Sequence, residues 1–230
     1  MTSDSNTSAT DRYFDLDGVI GAAGFASGDR VVIGHWYESP IGPFNDIMWA
    51  EPDGWRTLFV ADERSKCFIT SVYQFDSVIV APSLAVRYSP ETEHPLLEAA
   101  WPRAQLEFSV GRAAPFPPRP TWVTRRIEAP IAKKTMNVDT YGVSPTGVYE
   151  WYRTKKLRRI LSGWGIVAGR DLGEVGSPTE ATGFGFSEPP PFASVTEISP
   201  RLHDPSHALD AVIDRLNAER SNFDQSTSDT

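Results

Sequence analysis

The chain has 230 residues, 40% of them hydrophobic and 11% aromatic, which is enough apolar material for one folded domain. Its net charge of -8 argues against a general nucleic-acid or anionic-membrane binder, because those surfaces need a dominant positive field. With one cysteine, no secretion signal and no apolar stretch of about 18 residues, the sequence predicts a soluble, cytoplasmic protein.

Both ends of the chain are rich in Ser, Thr, Asp and Asn and bury too little to order themselves. We therefore predict disordered tails over residues 1–11 and 221–230. A single β-rich domain spans residues 12–220 between them.

From Gly28 onward, short apolar or alternating segments separated by Pro, Gly and Asp are typical of antiparallel β-structure. The predicted strands are Arg30–Trp36, Asn45–Ala50, Trp55–Ala61, Cys67–Phe75, Ser77–Tyr88, Ala104–Gly111, Thr121–Ile127, Val148–Thr154, Leu157–Ala168 and Ser194–Ser199. The triplet Pro52-Asp53-Gly54 indicates a hairpin turn, because Pro sets the first turn dihedral and Gly accepts a positive φ.

Two segments have helical patterns, a short one at His94–Trp101 and a longer one at Asp204–Arg220. In the longer segment, Asp204 suits the cap position and Pro205 suits the first turn. Its apolar face, which we expect to pack against the sheet, comprises Ala208, Leu209, Val212, Ile213 and Leu216.

Together these elements predict a mostly β fold of the α+β class, with a closed or strongly curved antiparallel β-barrel-like sheet and a C-terminal helix. No glycine-rich phosphate loop follows a predicted strand, which disfavours a nucleotide-binding parallel sheet. Closed β-structures of this size commonly hold one small ligand.

Positive charge concentrates in the segment Gly147–Trp164, which places five cations among aromatic residues in an otherwise acidic chain. In a strand Val148–Thr154, Glu150 and Tyr152 share one face, and Tyr149, Trp151 and Arg153 share the other. We expect a turn near Lys155-Lys156 that returns Arg158 or Arg159 opposite Tyr152 or Glu150. The segment is either a charged solvent face or the mouth of a pocket whose arginine binds an anion.

Signatures of metal or serine-hydrolase chemistry are missing from the sequence. The four histidines lack the spacing of a metal site, and no Gly-x-Ser-x-Gly motif occurs. We therefore predict no metal and no cofactor.

Four of the five lysines form the pairs Lys133-Lys134 and Lys155-Lys156. A lysine beside another cation loses its proton more readily and can attack a carbonyl as the free amine. Lys133 or Lys134 is thus a candidate Schiff-base residue, with Glu150 as acid or base. The alternative is that these lysines are solvated surface residues.

Several short sequence segments resemble those of a group of uncharacterised actinobacterial proteins, which are loosely similar to the acetoacetate-decarboxylase-like superfamily. The segments are Glu38–Asp46, Pro52–Gly54, Ser71–Val78, Glu150–Tyr152, Arg170–Gly173, Gly183–Pro190 and Ala193–Thr196. The chain departs from the pattern at Lys155–Arg158, where the group has Asp-Leu-His. The group itself has no known activity to carry over, whereas similarity to a decarboxylase-like lyase would imply a Schiff-base lysine.

Three functions remain open. The first is a small-molecule binding protein for an organic acid or other apolar anion, with Trp49, Tyr73, Trp151, Tyr152, Arg153 and Arg158 as ligand-binding residues. The pocket would be shaped further by Trp36, Phe75 and Phe186. The second is the lyase that uses Lys133, Lys134 and Glu150. The third is a non-catalytic interaction protein, and the sequence leaves a homodimer open.

Overall fold

The computed structural model describes residues 11–115, 141–178, 180–185 and 190–228. The predicted strand Thr121–Ile127 lies outside these residues. Within them the fold is mostly β, with a strongly curled half-barrel sheet and a C-terminal helix, which confirms the predicted fold class.

Seventeen strands and two helices make up the described fold. The strands are β1 (Phe14–Asp15), β2 (Asp17–Phe25), β3 (Arg30–Glu38), β4 (Phe44–Ala50), β5 (Arg56–Val60), β6 (Ser77–Val80), β7 (Ala85–Ser89), β8 (Leu96–Trp101), β9 (Ala104–Val110), β10 (Ala114–Pro115), β11 (Tyr141–Val143), β12 (Tyr149–Trp151), β13 (Thr154–Val167), β14 (Arg170–Asp171), β15 (Val175–Gly176), β16 (Ser194–Ile198) and β17 (Arg201–His203). The helices are α1 (Glu63–Val72) and α2 (Ala208–Ser228).

The strands form a large sheet and a small one. The large sheet has the order β6-β5-β4-β3-β2-β16-β13-β9-β8-β7, with β10 and β14 paired to β13 and β15 paired to β2. The small sheet has the order β1-β17-β12-β11. Strands β5 and β6 pair in parallel, so their connection must cross over, and α1 makes that crossing.

Two apolar cores lie on opposite faces of the large sheet. The inner core fills the curl of the sheet and contains Val19, Ile33, Leu97, Phe108 and Val195 among others. We call the face that these residues share the inner face. The outer core lies between the other face, both helices and the small sheet, so the outer face is where a second layer can hold a site.

Helix α2 contributes its apolar face to the outer core, as predicted. Leu209, Ile213 and Leu216 are fully buried there and Val212 is partly buried, whereas Ala208, which was predicted on the same face, is exposed. The helix begins at Ala208, and Asp204 accepts a hydrogen bond from the backbone N–H of Leu209 at 2.8 Å. Its end differs from the prediction, because it continues to Ser228 across residues predicted as a tail. Extending a packed helix needs no new nucleation, which offsets the low helix propensity of this polar stretch.

The prediction of a strand at Cys67–Phe75 is wrong, because residues 63–72 form helix α1. The β-branched and aromatic residues suggested a strand, but Ser65, Phe68, Ile69 and Val72 are buried at helical spacing. Asp62 caps the helix by accepting a hydrogen bond from the Ser65 N–H at 2.7 Å.

The short helix predicted at His94–Trp101 is also wrong, since this segment forms strand β8. Leu97, Ala99 and Trp101 alternate into the inner core, which is the two-residue period of a strand. Strand β8 pairs with β9 through a tight turn at residues 102–103.

Several predicted strands have different boundaries in the structure, and two of the differences change the connectivity. The segment Ser77–Tyr88 divides into β6 and β7, with a turn closed by the Leu84 N–H on the Ala81 carbonyl. No turn occurs near Lys155-Lys156, which instead lie within the long strand β13. Strand β12 pairs with β11 and β17. Consequently neither Arg158 nor Arg159 lies opposite Glu150.

Strand β2, at the centre of the large sheet, was not predicted. Its glycines hide the strand pattern because glycine has low β-propensity. The structure explains one of them, since a Cβ on Gly21 would collide with the Leu97 side chain across the inner core. Close packing of the curl therefore selects glycine where propensity favours other residues.

Candidate functional site

Glu150 occupies the centre of the small sheet and is fully buried, with 0% exposure. Strand β12 runs between β11 and β17, and Glu150 pairs in register with Leu202, a residue of the outer core. The predicted alternation of faces is confirmed here, because Glu150 points to the outer core while its neighbours Tyr149 and Trp151 stack with each other at 6.2 Å.

Two tyrosines bind the Glu150 carboxyl in this interior. The Tyr73 hydroxyl donates to Glu150 Oε2 at 2.8 Å, and the Tyr73 and Tyr152 hydroxyls lie 2.9 Å apart. Both tyrosines are partly exposed, whereas Glu150 lies beneath them. The second carboxyl oxygen, Glu150 Oε1, has no hydrogen-bond partner among the described residues. We call Tyr73, Glu150 and Tyr152 the Glu150 triad.

A second buried carboxyl, Asp46, lies on strand β4 of the large sheet. Asp46 is 2% exposed, and its Oδ1 accepts a hydrogen bond from Trp36 Nε1 at 2.8 Å. Gly34 is directly opposite Asp46 in register, and a Cβ at this position would collide with Asp46 Oδ1. The glycine thus leaves the space in which the Trp36–Asp46 hydrogen bond forms.

Both carboxyls hold their protons to unusually high pH. Burial raises the pKa of Glu150 to about 7, although the tyrosine hydroxyls act in the opposite direction. Burial likewise raises the pKa of Asp46 to about 7, against the hydrogen bond from Trp36. Burial is also the main cause of the raised pKa of Tyr152, with smaller contributions from the charges of Glu150 and Asp46. Asp46 therefore lies within electrostatic range of the Glu150 triad.

Apolar side chains flank the triad on the outer face. Trp36, Met48 and Phe75 are partly exposed and pack against the outer core. Phe75 packs on Phe184 with 6.0 Å between the ring centroids. The site therefore combines proton donors and acceptors with an apolar surround, as small-molecule sites commonly do.

Two other predicted binding residues lie on or next to the small sheet, away from the triad. Trp151 is on the face opposite Glu150 and belongs to an aromatic group there. Its ring centroid lies 6.2 Å from that of Tyr13 and 5.2 Å from that of Tyr141. Arg153 lies near Asp15, whose pKa is lowered mainly by hydrogen bonds from Arg201 and further by the charge of Arg153.

The two remaining predicted residues belong to the large sheet. Trp49 donates from Nε1 to the buried Asp29 at 2.8 Å and stacks on Phe59 at the inner core. Arg158 is buried on the inner face, where Tyr88, Glu91 and Glu197 surround it. The structure thus brings Tyr73, Glu150 and Tyr152 together and separates them from the other four.

Lys133, Lys134 and Phe186 lie outside the described residues. Sequence reasoning did not find the group around Arg158, because Tyr88, Glu91 and Glu197 are far apart in the chain and form no local motif.

In the described part of the chain, no group of three or more His, Cys, Asp or Glu residues is placed to hold a metal ion. Neither described helix combines the length and apolar character that a membrane span requires.

No protein-family model matches this chain, and neither the curated proteins nor the solved structures contain a match. The resemblance to an acetoacetate-decarboxylase-like family therefore stays a prediction.

Proposed function

We propose that the protein binds a small, mainly apolar organic acid at the Glu150 triad. The observation that carries the proposal is a fully buried carboxyl with one unpaired oxygen, which lies beneath two partly exposed tyrosines. A buried polar atom without a partner is unfavourable, so a ligand that pairs with it gains affinity.

The ligand class follows from the protonation state of the site. A carboxyl whose pKa is about 7 is largely protonated in mildly acidic solution and then donates a hydrogen bond. When Glu150 is protonated, its unpaired Oε1 can donate to a carboxylate oxygen of the ligand. The ligand's hydrocarbon part would contact the apolar residues Trp36, Met48 and Phe75.

The same chemistry sets the pH dependence of binding. Above pH 7, Glu150 becomes an anion that repels an organic anion and no longer donates a proton. We therefore expect affinity to fall as pH rises from 6 to 8. Glu150→Gln keeps a donor without a titrating group, so it should bind with little dependence on pH.

Intrinsic tryptophan fluorescence can measure ligand binding, because Trp36 donates a hydrogen bond to Asp46 next to the triad. A panel of aliphatic, aromatic and isoprenoid acids is titrated against the whole chain at pH 6 and pH 8. Tyr152→Phe should weaken binding about tenfold, because it removes the hydroxyl that is hydrogen-bonded to Tyr73 and so loosens the group that positions Glu150.

Tyr149→Phe is the matched control, because Tyr149 lies on the same strand as Glu150 but stacks with Trp151 on the opposite face. It should leave affinity unchanged. The proposal is wrong if no acid in the panel binds, or if Tyr149→Phe and Tyr152→Phe weaken binding equally.

A further inference from the structure

A second polar group lies on the inner face of the large sheet, around Arg158. Arg158 pairs in register with Val195 of the inner core, and Ile160, two residues along the same strand, also belongs to that core. The Arg158 side chain therefore faces the curl of the sheet, on the side opposite the Glu150 triad.

Arg158 is poorly paired for a buried cation. Only 6% of the residue is exposed, and its Nε has no hydrogen-bond partner among the described residues. One terminal nitrogen donates to the Gly111 carbonyl at 3.2 Å, and the other to Glu91 at 3.3 Å. Both distances are long for a charge-assisted hydrogen bond.

The carboxylate that meets Arg158 belongs to an exposed loop. Glu91 lies between β7 and β8, and its side chain is 78% exposed. The Lys156 ammonium lies 4.0 Å from the same carboxylate and 3.4 Å from Glu197. Two cations therefore converge on one carboxylate whose side chain is mostly exposed to solvent.

We propose that Arg158 and Lys156 form a binding site for a small carboxylate, and that the Glu91 side chain occupies this site when no carboxylate is bound. This site goes beyond the proposed function, because it lies on the other face of the sheet and uses none of its residues.

The balance of charge supports an exchange of carboxylates. With Glu91 in place, two cations face two anions, Glu91 and Glu197. When Glu91 rotates away, only Glu197 remains, and one positive charge is uncompensated beside a buried guanidinium. Leaving a buried charge unpaired is strongly unfavourable, so an incoming carboxylate is preferred to an empty site.

Acetate is the probe, and its neutral analogue acetamide is the matched ligand control. The arginine Nε–H signals of the ¹⁵N-labelled whole chain are followed by NMR during each titration. Acetate, but not acetamide, should shift the Arg158 signal. Glu91→Gln removes the internal competitor and should tighten acetate binding about tenfold.

Glu93→Gln is the matched protein control, because Glu93 is an exposed glutamate of the same loop. It should leave acetate affinity unchanged. Lys156→Met, at a side chain that is 41% exposed, should weaken acetate binding without removing the buried arginine.

Equal acetate affinity in Glu91→Gln, Glu93→Gln and the unaltered chain would overturn the proposal, as would an equal response to acetamide. Tyr152→Phe should not change the acetate response at Arg158. Failure here is thereby distinguished from failure of the proposed function.

Discussion

At the scale of single residues, the buried carboxyls Glu150 and Asp46 and the buried Arg158 differ in how their charge can be compensated. Glu150 and Asp46 are buried with neutral hydrogen-bond donors, and burial raises the pKa of each to about 7. A guanidinium carries a fixed positive charge in proteins, so the buried Arg158 side chain needs a carboxylate to compensate it. Protonation can neutralise a buried carboxyl but not a buried guanidinium, so the Arg158 group depends on an anion in a way that the Glu150 triad does not.

Glu150 should make the protein less stable as pH rises. Its folded-state pKa of about 7 lies above the ordinary glutamate pKa of 4.5, so the folded protein binds more protons between these values. The stabilisation is present below pH 4.5 and is lost as pH approaches 7. Glu150 should lower the free energy of unfolding of the unaltered chain by on the order of 2 kcal/mol between pH 5 and pH 8. Glu150→Gln should abolish this contribution.

Urea denaturation at several pH values measures this effect. Glu219→Gln, at an exposed position of α2, serves as the control and should keep the pH dependence of the unaltered chain. Parallel stability curves for Glu150→Gln and Glu219→Gln would contradict the assignment.

Sequence alternation predicted that Glu150 and Tyr152 share a face, because strand side chains point alternately to opposite sides. It did not place Tyr73 beside them. Tyr73 follows helix α1, and its distance from Glu150 depends on how that helix packs below the small sheet. Alternation is local, whereas this contact joins residues that are 77 positions apart.

At the scale of elements, helix α2 closes the outer core. Its apolar residues Leu209, Ile213 and Leu216 are buried against α1 and the sheet, as the helical pattern predicted. This face is therefore covered within the chain itself, so an interaction role for the helix would have to use its polar side.

Ile213→Ala should destabilise the protein by about 3 kcal/mol, because it removes buried methylene groups and leaves a cavity. Leu161→Ala is the matched control. Leu161 is 68% exposed, so its truncation should change stability by less than about 0.5 kcal/mol. Thermal unfolding followed by circular dichroism compares the two, and equal midpoints would show that α2 does not close a core.

The elements that the sequence assigned wrongly share one cause. Val, Ile, Phe and Tyr occur both in strands and in buried helices, so the composition of Cys67–Phe75 favoured a strand although the segment packs as a helix. At β2 a strand was missed, because its glycines have low strand propensity. A Cβ at Gly21 would collide with the Leu97 side chain, so packing favours glycine within this strand. In both places tertiary packing overrode local propensity.

At the scale of the whole molecule, the large sheet separates two polar sites. The Glu150 triad lies in the outer layer, and the Arg158 group lies on the inner face. The sites share no residue and lie on opposite faces of the sheet, so we expect them to act independently.

Double-mutant cycles test this independence. Tyr152→Phe and Tyr88→Phe have no common partner, so their effects on the free energy of unfolding should add to within about 0.5 kcal/mol. Tyr73→Phe and Tyr152→Phe form the contrasting pair. Their hydroxyls are 2.9 Å apart, and their effects should be non-additive by more than that margin. Non-additivity of the first pair would show that the sites are coupled through the sheet.

The sequence by itself determined the mostly β class, the C-terminal amphipathic helix and the common face of Glu150 and Tyr152. Each of these depends on composition or on a short periodic pattern, which acts over neighbouring residues. Only the tertiary structure decided that Tyr73 and Asp46 join Glu150, and that Arg158 faces the opposite side of the sheet. The physical reason is that these contacts depend on sheet register and helix packing between segments distant in the chain, and no local pattern encodes either.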